Sequence, residues 1–178
     1  SFCHVEKVLE LISDGVTGSE IRLPDLVVGK SYTGLEFFEP SQEELPARIG
    51  SSGVMLRIPG VTEVPELNLA ISAQVSDYRP SDRGKLSAIF DWDVLRPPIS
   101  VRTRQAGDKF RPAGAPGGKK LKEYLIDAKI PRRQRDTIPI VCDATGIIWL
   151  GGFRAAQQGR PGDGTTRFLQ LIIERQEE

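Results

Sequence analysis

One histidine, two cysteines and 7% aromatic residues are thin material for chemistry in a chain of 178 residues. With His4 alone, a zinc site or a Ser–His–Asp triad has almost nothing to be built from, and no metal site is expected. Cys3 and Cys142 lie far apart and outside any metal-type pair, which reads as a reduced, cytosolic setting. Cys142 sits in an apolar run and reads as a small buried side chain, not a nucleophile. No uncharged apolar run approaches the roughly 20 residues of a membrane span. The start of the chain shows no basic segment leading into an apolar run and a small-residue cleavage site. A cytoplasmic location and no membrane partner are therefore expected.

Net charge is also lacking: 24 basic residues stand against 24 acidic ones. That balance conceals a separation. Residues 96–135 hold twelve lysines and arginines against only Asp108, Glu123 and Asp127, whereas residues 1–95 are net acidic. A dense cationic stretch in a neutral protein is a local field, and local fields attract polyanions. The same stretch is rich in glycine and proline, which lets backbone approach a ligand closely.

Periodicity sets the expected architecture. Val5, Val8, Leu9 and Ile12 follow the helical rule, and a helix so near Ser1 reads as the tail of something longer upstream. Strand-like pieces fall at 20–23, 26–29, 35–38, 54–58, 67–76 and 86–92, with a Pro- and Gly-rich loop over 39–53 and a Pro59-Gly60 turn. After Pro97-Pro98 the pattern gives a strand at 99–104, a glycine loop at 107–118 and a helix at 119–129. A short turn of helix at 131–136 follows, then strands at 138–142, 147–153 and 166–174. The fold class expected is α+β, mostly antiparallel strands with few short helices, in two small units. Residues 1–96 would form the helix tail and a β-rich substrate-binding unit, and 97–178 an α+β unit.

Within the basic block, Gly114-Ala115-Pro116-Gly117-Gly118-Lys119-Lys120 invites comparison with a nucleotide phosphate loop. It fails twice: the first glycine would fall on Ala113, and the magnesium-binding hydroxyl on Lys120. A weaker reading survives, in which a glycine loop opening a helix favours phosphate, with Lys119, Lys122 and Lys129 along one helix flank. Arg132 and Arg133 follow the rigid Ile130-Pro131 step, and guanidinium groups match phosphate oxygens pairwise. Arg135 is the weaker candidate because Asp136 adjoins it. Asp108 is expected to orient Arg102 or Arg104. Asp91 and Asp93 read as a strand-end turn before an acid–base pair. Trp92, Tyr124, Trp149 and Phe153 could stack on bases, but three of the four fall on expected buried faces, where core packing is the default.

The string from Val101 to Gly152 carries a resemblance. Arg102 and Arg104, Gly107-Asp108, Pro112 with Gly114, Gly117 with Lys119-Lys120-Leu121-Lys122, Ile130-Pro131-Arg132, Arg135-Asp136, Pro139 and Trp149-Leu150-Gly151-Gly152 follow in order. It resembles the C-terminal region of the tRNA(Ile)-lysidine synthase family, and residues 20–28 and 88–95 resemble the preceding segment more loosely. The resemblance implies an enzyme that uses ATP and magnesium to join lysine to the wobble cytidine of tRNA(Ile). The family's Ser-Gly-Gly-x-Asp-Ser phosphate loop is not in this sequence. The resemblance thus implies no catalytic residue and no cofactor here, and a chain that is inactive alone. Its implied partners are tRNA(Ile) and its own N-terminal catalytic domain, with a homodimer left open.

Together these readings place tRNA phosphates on Arg102, Arg104, Lys109, Lys119, Lys120, Lys122, Arg132 and Arg133. Gly107, Asp108, Gly114, Gly117 and Gly118 would shape the loops between them. Two other classes stay open: a protein-docking module whose charge serves solubility, and a small phosphate-ligand site at Gly117-Gly118.

Overall fold

A computed structural model describes residues 2–39 and 49–176. The loop expected over 39–53 therefore falls mostly outside the described residues. Among those described, antiparallel strands dominate and the α-helices are three and short, so the α+β expectation holds.

Helix α1 (Phe2–Ser13) leads into a three-stranded meander of β1 (Glu20–Leu23), β2 (Leu26–Lys30) and β3 (Leu35–Phe38). Leu23 pairs with Leu26, so Pro24 and Asp25 form a two-residue turn. Leu11, Val27 and Val28 are buried in this unit and belong to neither of the larger apolar clusters described next.

The rest of the chain builds two larger sheets. Strands β4 (Val54–Met55), β8 (Ser100–Arg102), β11 (Ile140–Asp143), β12 (Gly146–Leu150) and β13 (Arg154–Ala155) form one, in the order β13-β12-β11-β8-β4. Strands β5 (Gly60–Val64), β6 (Leu69–Ser76), β7 (Ser87–Asp91) and β14 (Phe168–Arg175) form the other, in the order β5-β6-β14-β7. The ladders cross the Pro97-Pro98 position. Strand β14 pairs with both β6 and β7, and β4 pairs with β8.

The two sheets share a core. Ile71, Phe90, Leu169 and Leu171 from the four-stranded sheet meet Val101, Val141, Ile148 and Trp149 from the five-stranded one. The other face of the five-stranded sheet carries a second cluster. There Ile140, Cys142, Ile147 and Leu150 pack under Phe110, Leu121, Leu125 and Ile130. Strand β11 is buried at all four positions, which explains its unbroken apolar run. Val141 pairs with Trp149 and Cys142 with Ile147, leaving Ile148 as the extra residue of a bulge. That bulge is why Ile148 and Trp149, neighbours in sequence, face the same core.

Over the second cluster lie a two-stranded ribbon, β9 (Lys109–Phe110) with β10 (Lys119–Lys120), and helices α2 (Leu121–Asp127) and α3 (Arg132–Arg135). The helix expected over 119–129 therefore begins later. Lys119 and Lys120 are extended because Phe110 is buried in the second cluster and Lys119 is its ladder partner. Strand β5, bracketed by Pro59-Gly60 and Pro65, was not expected. It alternates exposed Val61 and Glu63 with buried Thr62 and Val64.

Candidate nucleic-acid interface

The ribbon sets the geometry of the basic block. In its antiparallel register Lys109 faces Lys120, and Phe110 faces Lys119. Residues directly opposite share one face of a ribbon, so Lys109 and Lys120 project together. Both are exposed. Lys122 follows on the exposed side of α2. Among the described residues no carboxylate pairs with Lys109, Lys120, Lys122 or Arg132.

The other four expected phosphate ligands hold carboxylates. The Arg102 guanidinium donates two parallel hydrogen bonds to Asp108, at 2.9 and 2.8 Å. The two side chains are 14% and 10% exposed. Burial works against the charge on Arg102, but the Asp108 bond and the neighbouring charges outweigh it and hold its pKa above the usual value. Asp108 also accepts the Gln105 N–H at 2.7 Å, so it closes the turn as well as orienting Arg102. Arg104 is paired with Asp136 at 2.7 Å, largely shielded from solvent. A phosphate at Arg102 would have to displace Asp108, whereas Arg104 donates to Asp136 through Nε alone. Lys119 reaches Asp127 at 2.5 Å and lies 5.9 Å from the Tyr124 ring centre. Arg133 pairs with Glu20 and stacks on Phe38.

The glycine loop is also engaged. Gly107 and Gly114 have φ of +85° and +81°, so their backbone needs glycine. Gly117 and Gly118 carry no such requirement. Three N–H groups of the loop are already used: Ala113 donates to Ala155, Gly114 to Gln157 and Ala115 to Pro112. The Leu121 N–H at the start of α2 donates to the Asp108 carbonyl at 2.8 Å. The Gly117-Gly118 step does not open a helix directly, since β10 intervenes. The loop leads into a strand, and the first helical N–H is taken.

A second basic cluster lies elsewhere. Lys129, Arg132, Arg133 and Arg135 line a groove against the β1–β3 sheet, and none of the ribbon lysines joins them. Arg135 donates to the Ile130 carbonyl at 2.8 Å and not to Asp136. Four cations of the block thus line the groove, and the ribbon lysines lie outside it. Sequence reading missed Glu20, Tyr32 and Phe38. They are distant in sequence from the arginines they meet, and no local pattern signals such a contact.

Apart from Phe153, which is 43% exposed, the remaining candidates pair or pack within the fold. Asp91 accepts from the Asp93 N–H and the Thr165 hydroxyl, and Asp93 is bound by Arg167. Trp149 is buried in the shared core, Trp92 packs against it, and Tyr124 packs edge-on to Phe110. Cys142 is buried, and that burial pushes its thiol up, with the nearby Arg102 opposing and Asp108 adding to the rise.

A family model described as the TilS substrate C-terminal domain matches residues 99–171, which takes in the ribbon, helices α2 and α3 and most of the five-stranded sheet. A crystal structure of a TilS C-terminal domain aligns with a TM-score of 0.61 at 33% identity, covering 70% of this chain and 97% of that one. The class is therefore a C-terminal domain of this type. The tRNA(Ile)-lysidine synthase of Caldanaerobacter subterraneus is 35% identical over 171 residues, covering 94% of this chain and 36% of the relative. That of Clostridium acetobutylicum is 30% identical over 177 residues, covering 98% and 38%. The chain belongs to the tRNA(Ile)-lysidine synthase family, and it spans little more than a third of the length of these relatives. No helix among the described residues is long and apolar enough to cross a membrane.

Proposed function

We propose that this chain is a tRNA-gripping part of a cytoplasmic enzyme that joins lysine to tRNA(Ile), with the β9–β10 ribbon as its phosphate-contacting face. The names of its relatives support the substrate. One observation carries the site: Lys109 and Lys120 stand directly opposite each other, exposed, with no carboxylate among the described residues to relieve them. Like charges in that register destabilise a ribbon. A ribbon kept in that state is suited to an external polyanion. Lys122 extends the face, whereas Arg102, Arg104 and Asp108 hold the strand and turn beneath it. ATP, magnesium and the ligation chemistry belong, in this reading, to the family's catalytic domain, which is also a partner of this one.

The test is tRNA binding across ionic strength. Each phosphate neutralised contributes roughly 0.7–0.9 to the slope of log affinity against log salt. Lys109→Ala with Lys120→Ala should flatten that slope by about 1.5 and leave the melting temperature unlowered. A slope unchanged by the double substitution removes the ribbon from the interface. A flat salt response in the unmodified chain favours a protein-docking role.

A further inference from the structure

The groove beside the β1–β3 sheet has chemistry that the ribbon lacks. It encloses about 360 Å³, at the small end of the range for small-molecule sites. A duplex is far too large for it, whereas a single nucleotide is of the right scale. One wall is guanidinium: Arg132 and Arg133 from α3. The other is hydroxyl and carboxylate: Ser19, Thr33 and Glu36 from the first unit. Tyr32, 44% exposed, also lines the groove, with the Lys129 ammonium 5.7 Å from its ring centre.

Arg133 shows how an anion would be held. Its Nε and one terminal nitrogen donate to the two Glu20 oxygens at 2.9 and 3.2 Å. The guanidinium is stacked 4.3 Å from the Phe38 ring centre, which fixes its plane. A paired fork on a carboxylate is the same geometry a guanidinium uses on a phosphate. Both members are well exposed, at 42% and 32%, and such pairs are held weakly. Arg132, next in the chain and exposed, has no carboxylate partner among the described residues. Glu20 thus fills one anion position, and Arg132 lines the same groove.

From this we infer that the groove binds one phosphorylated ribonucleotide. Its phosphate lies on Arg132 and Arg133 in place of Glu20, and its ribose faces the Thr33 and Glu36 wall. The nucleotide is either free or an unpaired residue of an RNA. The RNA source rests on the tRNA-binding reading above, whereas the site itself does not.

Calorimetric titration of the whole chain with cytidine 5′-monophosphate tests the inference. Saturable binding is expected, at least tenfold weaker in Arg132→Ala. Lys109→Ala with Lys120→Ala should leave it unchanged. The Arg132→Ala melting temperature should match the parent, since that side chain is exposed and unpaired. Displacement of the bound nucleotide by tRNA assigns an RNA source, and binding of both together assigns a free nucleotide. No saturation at millimolar concentration, no effect of Arg132→Ala, or equal binding of inorganic phosphate overturns the inference. If nucleotide binding persists while the ribbon substitutions leave tRNA affinity intact, the ribbon reading has failed and the groove has not.

Discussion

Two shielded carboxylates, Asp108 and Asp143, organise turns of this chain. Asp108 neutralises Arg102 and accepts the Gln105 N–H, so Asp108→Ala would leave a guanidinium mostly shielded and unpaired. We expect a loss of about 3 kcal/mol in denaturant unfolding. A loss below 1 kcal/mol would mean that solvent reaches Arg102 freely. Asp143 is a denser hub. It accepts the N–H groups of Arg96, Thr145 and Gly146, the Thr145 hydroxyl and the Gln158 amide. Burial opposes its charge, yet the Arg96 N–H, the Thr145 hydroxyl and the other backbone donors outweigh it and hold the carboxyl below its usual range. A carboxyl depressed in the folded state contributes stability that is complete above its unfolded pKa of about 3.9 and is lost as pH falls through the folded value. Asp143→Asn should therefore cost about 1–3 kcal/mol at pH 7. Its melting curve should converge on that of the parent chain below pH 4. Curves that stay parallel from pH 7 to pH 3 would contradict this account.

The ribbon shows what an element can lose to keep a surface charged. Lys120→Glu places an opposite charge across from Lys109. It should raise stability by about 0.5 kcal/mol while lowering tRNA affinity. A fall in both would mark Lys120 as structural. This element also shows where the sequence stops being informative. The alternation at 99–104 and the apolar runs at 138–142 and 147–153 lead directly to β8, β11 and β12, because a strand buried on one or both faces writes its period into the residues. Strand β1 and β3 fall where their β-rich residues place them. Lys119 and Lys120 carry no such period. Their strand state follows from the partners Phe110 and Lys109, across a glycine loop, and the helical stripe of Leu121, Tyr124 and Leu125 draws the expected helix over them. For the site, residue type was legible and commitment was not. Arginines beside glycines look alike whether they face phosphate or, as with Arg102 and Arg104, a carboxylate closed by the fold. Asp108 was the exception, because its place between cations already pointed to an ion pair.

At the scale of the whole molecule, two kinds of cohesion coexist. The two larger sheets are joined through a continuous apolar core, with β14 laid between β6 and β7. Among the described residues, the first unit, 2–38, contributes nothing to that core, and its contacts with the rest include polar and cation–ring ones. Glu20 pairs with Arg133, which stacks on Phe38; the Lys129 ammonium sits 5.7 Å from the Tyr32 ring centre; and the Tyr32 hydroxyl donates to the Ile126 carbonyl at 3.3 Å. A unit of that length has little core of its own, so its order depends on these contacts, and exposed ion pairs weaken as salt screens them. Native-state hydrogen exchange should therefore separate the two parts. Amides of β1–β3 should exchange well before those of β11, β12 and β14. Raising salt from 50 to 500 mM should speed exchange in β1–β3 alone, and Arg133→Ala should reproduce that acceleration at low salt. Uniform protection across all these strands, or a salt effect shared by β11, would show that the first unit is held by something other than the contacts at Arg133 and Lys129.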